Sequence, residues 1–544
     1  MTTAARIRKV WSDVVLDLGR QFRWSFLPPL MVYFAAGASG LTAIVGTFFV
    51  KEYLDVSPAF LAGLAFWAGL PWALKMPVGH LVDLIWRWKA GLIWFGVALI
   101  AGSFLIMHGL ALRLEWMTRI MPVTWWYVLS VLIAPFGYVV QDAVADAMSV
   151  EAVPRVDDTG TPLPEAELRA MHTTMQTLGR FALIAGSSTV AAANIYLFSG
   201  IEDLPQEAKG QVYAGIYLLA LVIPAISVSG TIVAAIQKRL TIRRLIAAGL
   251  DRAAALARFN RDDEKVRPNW WYFIGGAAFL GLSLLVGLGD VPGSQEIVFA
   301  GSMGVVLFLM RQLIRALPPE KARTLVGTAI IIFVFRAVPL PGAGATWFEI
   351  DVLGFDQQFL SVLQLLTSVL TLVGMVVLRP MMARKTIVDI VIILSIASGL
   401  LSLPNIGLYY GIHHWTAAMT GGVVDARFIA VIDTAVESPL GQVAMIPMLA
   451  WIARNAPENL KATFFAVMAS FTNLALSASS LGTKYLNRIF VITREVVDPA
   501  TGQVTTPADY TQLGMLLVTV AVITVGAPLL TIVVIQKSRF PSTD

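Results

Sequence analysis

Apolar residues in this chain run in blocks of 19 to 29 positions, broken by short polar stretches. The segments 26–50, 59–82, 90–110, 122–146, 170–198 and 212–236 come first. After a polar interruption follow 270–288, 296–316, 324–345, 355–378, 386–410, 428–451, 462–483 and 513–536. Each block is long enough, as a helix rising about 1.5 Å per residue, to cross a hydrocarbon core of about 30 Å. Membrane β-strands would instead give alternating segments of about 10 residues. The pattern predicts an all-α polytopic membrane protein with about 14 transmembrane helices.

The polar stretches test that count. With residues 1–25 placed in the cytoplasm as an amphipathic N-terminal segment, 29 of the 40 Lys and Arg fall in cytoplasmic segments. Eight fall outside, and Lys75, Arg180 and Arg336 lie within spans. A cytoplasmic excess of this size is the positive-inside pattern, so both termini are expected in the cytoplasm. The longest polar stretch, 237–269, carries nine basic residues and divides the chain. Its segment 243–258 has helical apolar spacing with arginines beside it, which fits a helix held at anionic headgroups. The layout is a six-helix bundle (26–236), a basic linker (237–269), an inserted helical hairpin (270–316), a second six-helix bundle (317–536) and a cytoplasmic tail (537–544). Two bundles joined by a basic linker is an architecture of secondary transporters. The inserted hairpin is expected at the periphery, facing lipid, with no direct part in transport.

Composition narrows the chemistry. The 544 residues are 57% hydrophobic and 14% charged, against about 25% charged in soluble domains. The net charge of +5 is not gathered on a soluble face, so a nucleic-acid partner is not expected. There is no cysteine for a disulfide, thiolate metal site or cysteine nucleophile. No Gly-x-x-x-x-Gly-Lys-Ser/Thr phosphate loop marks a primary pump. The adjacent His413 and His414 fall in an outside loop without a third metal ligand at helical spacing. No metal and no cofactor is expected.

Ionisable residues inside a span need a partner or a wet cavity, because insertion of one costs at least about 2.5–3.5 kcal/mol. Asp142 and Asp146 are one helical turn apart, as are Asp433 and Glu437, so each pair shares a helix face. Like charges so placed make one member a candidate proton carrier. Arg180, with His172 and Gln176 on its side of the helix, is expected to face an acid of the preceding span. A structural pair, an anion site and a proton relay are all compatible with it. Arg336 precedes Pro339, Pro341 and Gly342, a broken stretch tolerated at membrane depth only beside protein or water.

Gly79-His-Leu81-Val-Asp83-Leu-Ile-Trp-Arg87 resembles the loop signature of the major facilitator superfamily, Gly-x-Leu-x-Asp-Arg-x-Gly-Arg-Arg, with Leu84 and Trp86 in place of Arg and Gly. The resemblance implies a gating role for Gly79, Asp83 and Arg87, and for Arg379 and Arg384 in the equivalent loop of the second bundle. Leu70-Pro71-Trp72-Ala-Leu-Lys75-Met-Pro-Val-Gly79 resembles a stretch of the folate–biopterin transporter family. Asp142-Ala-Val-Ala-Asp146-Ala-Met-Ser-Val-Glu151 is similar to another. Ile446-Pro447 followed by the block from Ala456-Pro457 to Asn473 resembles that family's closing motif, with Ala456 for Cys and Lys461 for Glu. The resemblance leaves out the hairpin 270–316.

It implies a major-facilitator-type fold of two six-helix bundles, working by alternating access on a small-molecule substrate. That substrate would be a pterin- or folate-like organic anion carried with protons. Lys75, Arg180 and Arg336 become the expected substrate-binding cations, and Asp142, Asp146, Asp433 and Glu437 the proton-coupling acids. The expected setting is a monomer in the lipid bilayer of the plasma (inner) membrane. An exporter or permease of another amphipathic or peptide-like solute is the alternative within transport. A membrane-embedded enzyme is the alternative outside it, and five scattered histidines with no His-Glu-x-x-His give it little support.

Overall fold

The computed structural model describes residues 22–542, apart from 55, 74, 86–87, 154–163, 202–203, 250, 253–269, 289–290, 316, 379–380, 382–384, 441–460 and 498–503. Most of the expected N-terminal segment, the distal linker, Arg87, Arg379, Arg384 and the Ile446-Pro447 and Ala456-Pro457 motifs lie outside the described residues.

A described helix stands at every expected span. The first span is α1 (Leu27–Gly37), a 3-10 turn (Ala38–Thr42) and α2 (Ala43–Tyr53). The second is α3 (Pro58–Ala73) followed by α4 (Lys75–Leu84), with Pro71 and Pro77 on either side of the junction. Then come α5 (Lys89–Leu112), α6 (Leu114–Ile120), α7 (Val123–Ala152), α8 (Glu165–Leu197), α9 (Gln206–Leu219) and α10 (Val222–Ala247). The inserted hairpin is α11 (Trp270–Leu288) and α12 (Ser294–Ile314). The rest is α13 (Pro319–Arg336), α14 (Ala343–Asp351), α15 (Gln357–Val377), α16 (Ile387–Leu401), α17 (Leu403–Tyr409), α18 (Ile412–Met419), α19 (Ala426–Glu437), α20 (Lys461–Ile489) and α21 (Leu513–Gln536). Nine spans among the described residues are long and apolar enough to cross a bilayer.

Several boundaries differ from those the sequence predicts. The first third of the expected linker is a continuation of α10, which runs to Ala247. Span 324–345 breaks after Arg336 and resumes at Ala343. Its junction passes through Gly342 at φ 83°, a left-handed conformation suited to glycine. The span read as 462–483 continues to Ile489, so Lys484 lies in a helix and is buried rather than placed in a loop. His413 and His414 likewise lie on the short helix α18, their rings 4.0 Å apart. The segment after α20 adds a small antiparallel ribbon, β1 (Val496–Val497) with β2 (Val504–Thr506).

Packing follows from where small and polar residues interrupt the apolar surfaces. Within the first bundle α5 packs on α7, and α1 on α8 and α10. The α1–α8 contact is very close. A Cβ added at Gly37 would come within 1.8 Å of the Leu183 carbonyl oxygen, and one at Gly186 within 2.2 Å of the Phe34 carbonyl oxygen. Small residues permit such backbone approach between membrane helices, where dispersion contacts replace the hydrophobic drive. Two seams join the bundles, α3 on α20 and α8 on α15. Ser187 and Ser368 hydroxyls meet at 3.0 Å across the second seam, and the Asn473 amide donates to the Trp72 carbonyl at 3.2 Å across the first. Around the perimeter Trp94, Phe95, Leu218, Leu285, Val522 and Leu530 are exposed. Such a surface suits hydrocarbon, not water.

Candidate substrate and coupling site

The helix junction in the second span sets Lys75 at the first position of α4, where its side chain meets α7. Asp142 and Asp146 are one turn apart on α7 and both point at it. Lys75 Nζ donates to Asp142 Oδ2 at 2.6 Å and lies 2.7 Å from Asp146 Oδ2. From α1 the Tyr33 hydroxyl donates to Asp146 Oδ1 at 2.7 Å. Three spans of the first bundle therefore converge on one ammonium and two carboxylates. Charge-assisted bonds of this length are the strong ones. Lys75 and Asp142 are 24% and 18% exposed and Asp146 is 47% exposed, so the cluster is ordered by protein yet reachable from solvent.

The sequence suggests two carboxylates repelling one another across a shared face; instead a lysine from another span sits between them. It also suggests an acid of α7 as the partner of Arg180. The acids pair with Lys75, and Arg180 on α8 stands within electrostatic reach of Asp142. Two bases then face two acids, and neutrality holds only while both acids are ionised. The ring of Tyr33 lies against α8 as well, 3.0 Å from where a Cβ on Gly179 would be. Nothing in the sequence singles out Tyr33, one aromatic among many in an apolar span.

Arg336, Asp433 and Glu437 are spread through the second bundle, and Gly79 and Asp83 lie in the first. Arg336 occupies the last turn of α13, directly before the break that ends at Gly342. A cation there complements the negative end of the helix dipole. Asp433 on α19 is 7% exposed and accepts from the Asn405 amide at 3.1 Å, whereas Glu437 one turn on is exposed. Glu349 on α14, not picked out from the sequence, lies within electrostatic reach of Asp433 and beside a cavity of about 130 Å³ that Asn405 also lines. Gly79 lies on α4, with no atom of the described residues within 4 Å of where a Cβ would stand, and the backbone of Asp83 belongs to the same helix.

A second polar set lies at the opposite end of the molecule from Lys75, where α2 ends and α14 and α20 meet. Lys51 pairs with Asp351, and the Tyr510 hydroxyl donates to Asp351 Oδ2 at 2.5 Å. Arg494, 7% exposed, donates to the Leu54 carbonyl and packs 5.8 Å from the centre of the Trp347 ring. The Gln357 amide donates to the buried Tyr213 hydroxyl at 2.9 Å. Lys51–Asp351, Arg494–Leu54 and Gln357–Tyr213 each join the first bundle to the second. In the sequence Lys51 and Arg494 read only as loop charges, since proximity to a span end carries no information about the partner.

Two bundles of apolar helices, joined along two seams and closed at the end opposite the internal charge cluster, make a multi-pass membrane protein with the architecture of a transporter. Residues 207–542 match the BT1 family, and the chain belongs to that family. It is 23% identical over 467 residues to the folate-biopterin transporter of Synechocystis sp., covering 84% of this chain and 74% of that one. Its fold is shared with an auto-inhibited POT family peptide transporter (TM-score 0.56, 12% identity, 96% and 97% of the two chains). It is shared also with a nucleoside transporter (TM-score 0.54, 10% identity, 94% and 99%). Both are transporters of the major-facilitator type, as the Gly79–Arg87 motif implied.

Proposed function

We propose that the chain carries a pterin- or folate-like organic anion across the membrane by alternating access, coupled to protons. The observation that carries this reading is Lys75, held between Asp142 and Asp146. Its ammonium has three N–H donors, and the two carboxylates engage it directly. A proton taken up on an oxygen of Asp142 or Asp146 removes one negative charge and leaves Lys75 and Arg180 in excess. An anionic substrate can then replace the lost carboxylate charge, and release of that proton restores the internal pair and expels the anion. Arg336, beside the break between α13 and α14, would supply a cation from the second bundle. Asp433 and Glu437 would be the corresponding acids there.

In this reading the bundles are 26–236 and 317–536, and Gly79, Asp83, Arg87, Arg379 and Arg384 gate the cytoplasmic ends. Both termini lie in the cytoplasm of a cell with this protein in its plasma (inner) membrane, where it works as a monomer. The end closed by Lys51, Asp351 and Arg494 is then the outer one. The test is uptake by purified protein in liposomes, offered an inward proton gradient and labelled pterins, folates, other organic anions and peptides. Gradient-dependent accumulation of a pterin or folate is expected. Accumulation of another solute alone would remove the substrate, and uptake indifferent to the gradient would remove the coupling.

A further inference from the structure

The sequence suggests an inserted hairpin standing apart at the lipid face. It is tied instead into the seam between the bundles. Gln295, in the first turn of α12, uses both ends of its amide. Nε2 donates to the Gly63 carbonyl of α3 at 3.2 Å, and Oε1 accepts from Lys484 Nζ of α20 at 2.7 Å. One side chain thus bridges the two bundles. Lys484, 9% exposed, also pairs with Glu296 at 2.9 Å, and the Tyr485 hydroxyl donates to Glu296 at 2.5 Å. Further along, Val298, Val306, Leu309 and Met310 of α12 share one apolar core with Phe66 and Leu70 of α3 and Phe471 and Leu474 of α20.

The hairpin also touches the first bundle through α11, where Tyr272 and Phe273 lie beside His80 of α4, but the two polar attachments of α12 differ in strength. Glu296–Lys484–Tyr485 is a charge-assisted set anchored on the buried Lys484, with Glu296 and Tyr485 partly exposed, and its bonds are stronger than a neutral one. Gln295–Gly63 is a single neutral bond to a carbonyl that is already part of a helix. Access from the end of the molecule where α12 begins requires α3 and α20 to part there, and the weaker link is the one that breaks.

We propose that the hairpin is a clasp. It rides with the second bundle through Glu296 and Lys484, and Gln295 is a positioning residue that holds α3 against it and keeps this end of the seam shut. Only alternating access is assumed, so the proposal stands or falls separately from the substrate.

The chain has no cysteine, so spin labels can be placed at will. Labels on Ser57→Cys and Ile489→Cys report the seam. Labels on Val291→Cys and Ile489→Cys report the hairpin against the second bundle. All three positions are exposed. Pulsed electron–electron distance measurements on the full chain in lipid nanodiscs are expected to give one unchanged distance for the Val291–Ile489 pair. The Ser57–Ile489 pair is expected to show a closed and a longer population. Gln295→Met, which keeps the length of the side chain but cannot bridge, is expected to raise the ratio of long to short about fivefold, as loss of one hydrogen bond of ordinary net strength would. Glu296→Gln is expected to broaden the Val291–Ile489 distance. A Gln295→Met sample with the wild-type distribution would overturn the clasp. So would a Val291–Ile489 distance that changes whenever the seam opens, since the hairpin would then travel with the first bundle. A Gln295→Met protein that does not fold would be replaced by Gln295→Asn, too short to reach both partners, with the same outcomes deciding.

Discussion

Lys75 and Asp142, 67 residues apart in the chain, are joined at 2.6 Å inside the first bundle. The bond depends on two local features: a helix junction that releases Lys75 toward α7, and the one-turn spacing that lets Asp146 take the same ammonium. Lys75→Gln and Asp142→Asn should each strand a charge. We expect each to lower stability by about 2 kcal/mol, less than a fully buried pair because the cluster is partly exposed. The double variant should lose less than the sum. Thermal unfolding of the three proteins in detergent measures this, and strict additivity would mean that the pair is not an energetic unit.

The α1–α8 contact makes a separate prediction. Gly37→Val and Gly186→Val place side-chain atoms where a Cβ would already lie within 1.8 Å and 2.2 Å of a carbonyl oxygen. Both should reduce folded yield at least about tenfold, since backbone cannot move aside as a flexible side chain can. Gly79→Ala, where a Cβ meets no atom of the described residues within 4 Å, should fold normally. Size-exclusion profiles of the fluorescently tagged variants distinguish them.

Asn405 donates to Asp433 in the second bundle. Asn405→Leu removes that donor and leaves a carboxylate oxygen buried without it, a loss expected to cost about 1–3 kcal/mol. Asp433→Asn should recover part of it in the Asn405→Leu background, because a neutral amide is cheaper to bury than a carboxylate. Melting temperatures of the single and double variants test the pairing; no recovery would place Asp433 in another network.

At the closed end, Arg494→Met removes the donor to the Leu54 carbonyl while keeping an apolar contact for Trp347. A cysteine introduced at Gly40, beside Gln364 of α15, should then react about fivefold faster with a polar maleimide added on that face. Lys51→Gln should have a smaller effect, because both it and Asp351 are partly exposed and such pairs are weak. Equal rates in Arg494→Met and the parent would assign the closure to other contacts.

Much of this architecture is legible in the chain. Block length alone locates the helices, since a span must be both long and apolar, and the scarcity of internal charge draws attention to Lys75, Asp142 and Asp146. Their mutual pairing is not legible. Spacing along α7 shows that the acids share a face, but nothing in one sequence says which span supplies the lysine, and Arg180 is an equally reasonable partner. Lys484 and Arg494 escape for a related reason. A basic residue near a span end reads as a loop charge unless the acid or carbonyl that receives it is known, and Glu296 and Leu54 lie in distant segments. Gln295 gives no signal at all, because an amide at a helix start is ordinary on solvated surfaces.

The most direct test of the central claim is the proton movement that accompanies substrate entry. Liposomes holding a pH-sensitive dye would carry either the parent protein or the double variant Asp142→Asn with Asp146→Asn, and receive the solute that the uptake panel identifies. Substrate addition should acidify the lumen with the parent protein and leave it unchanged with the double variant. Acidification that persists at the parent rate in the double variant would contradict a coupling role for the Lys75 cluster.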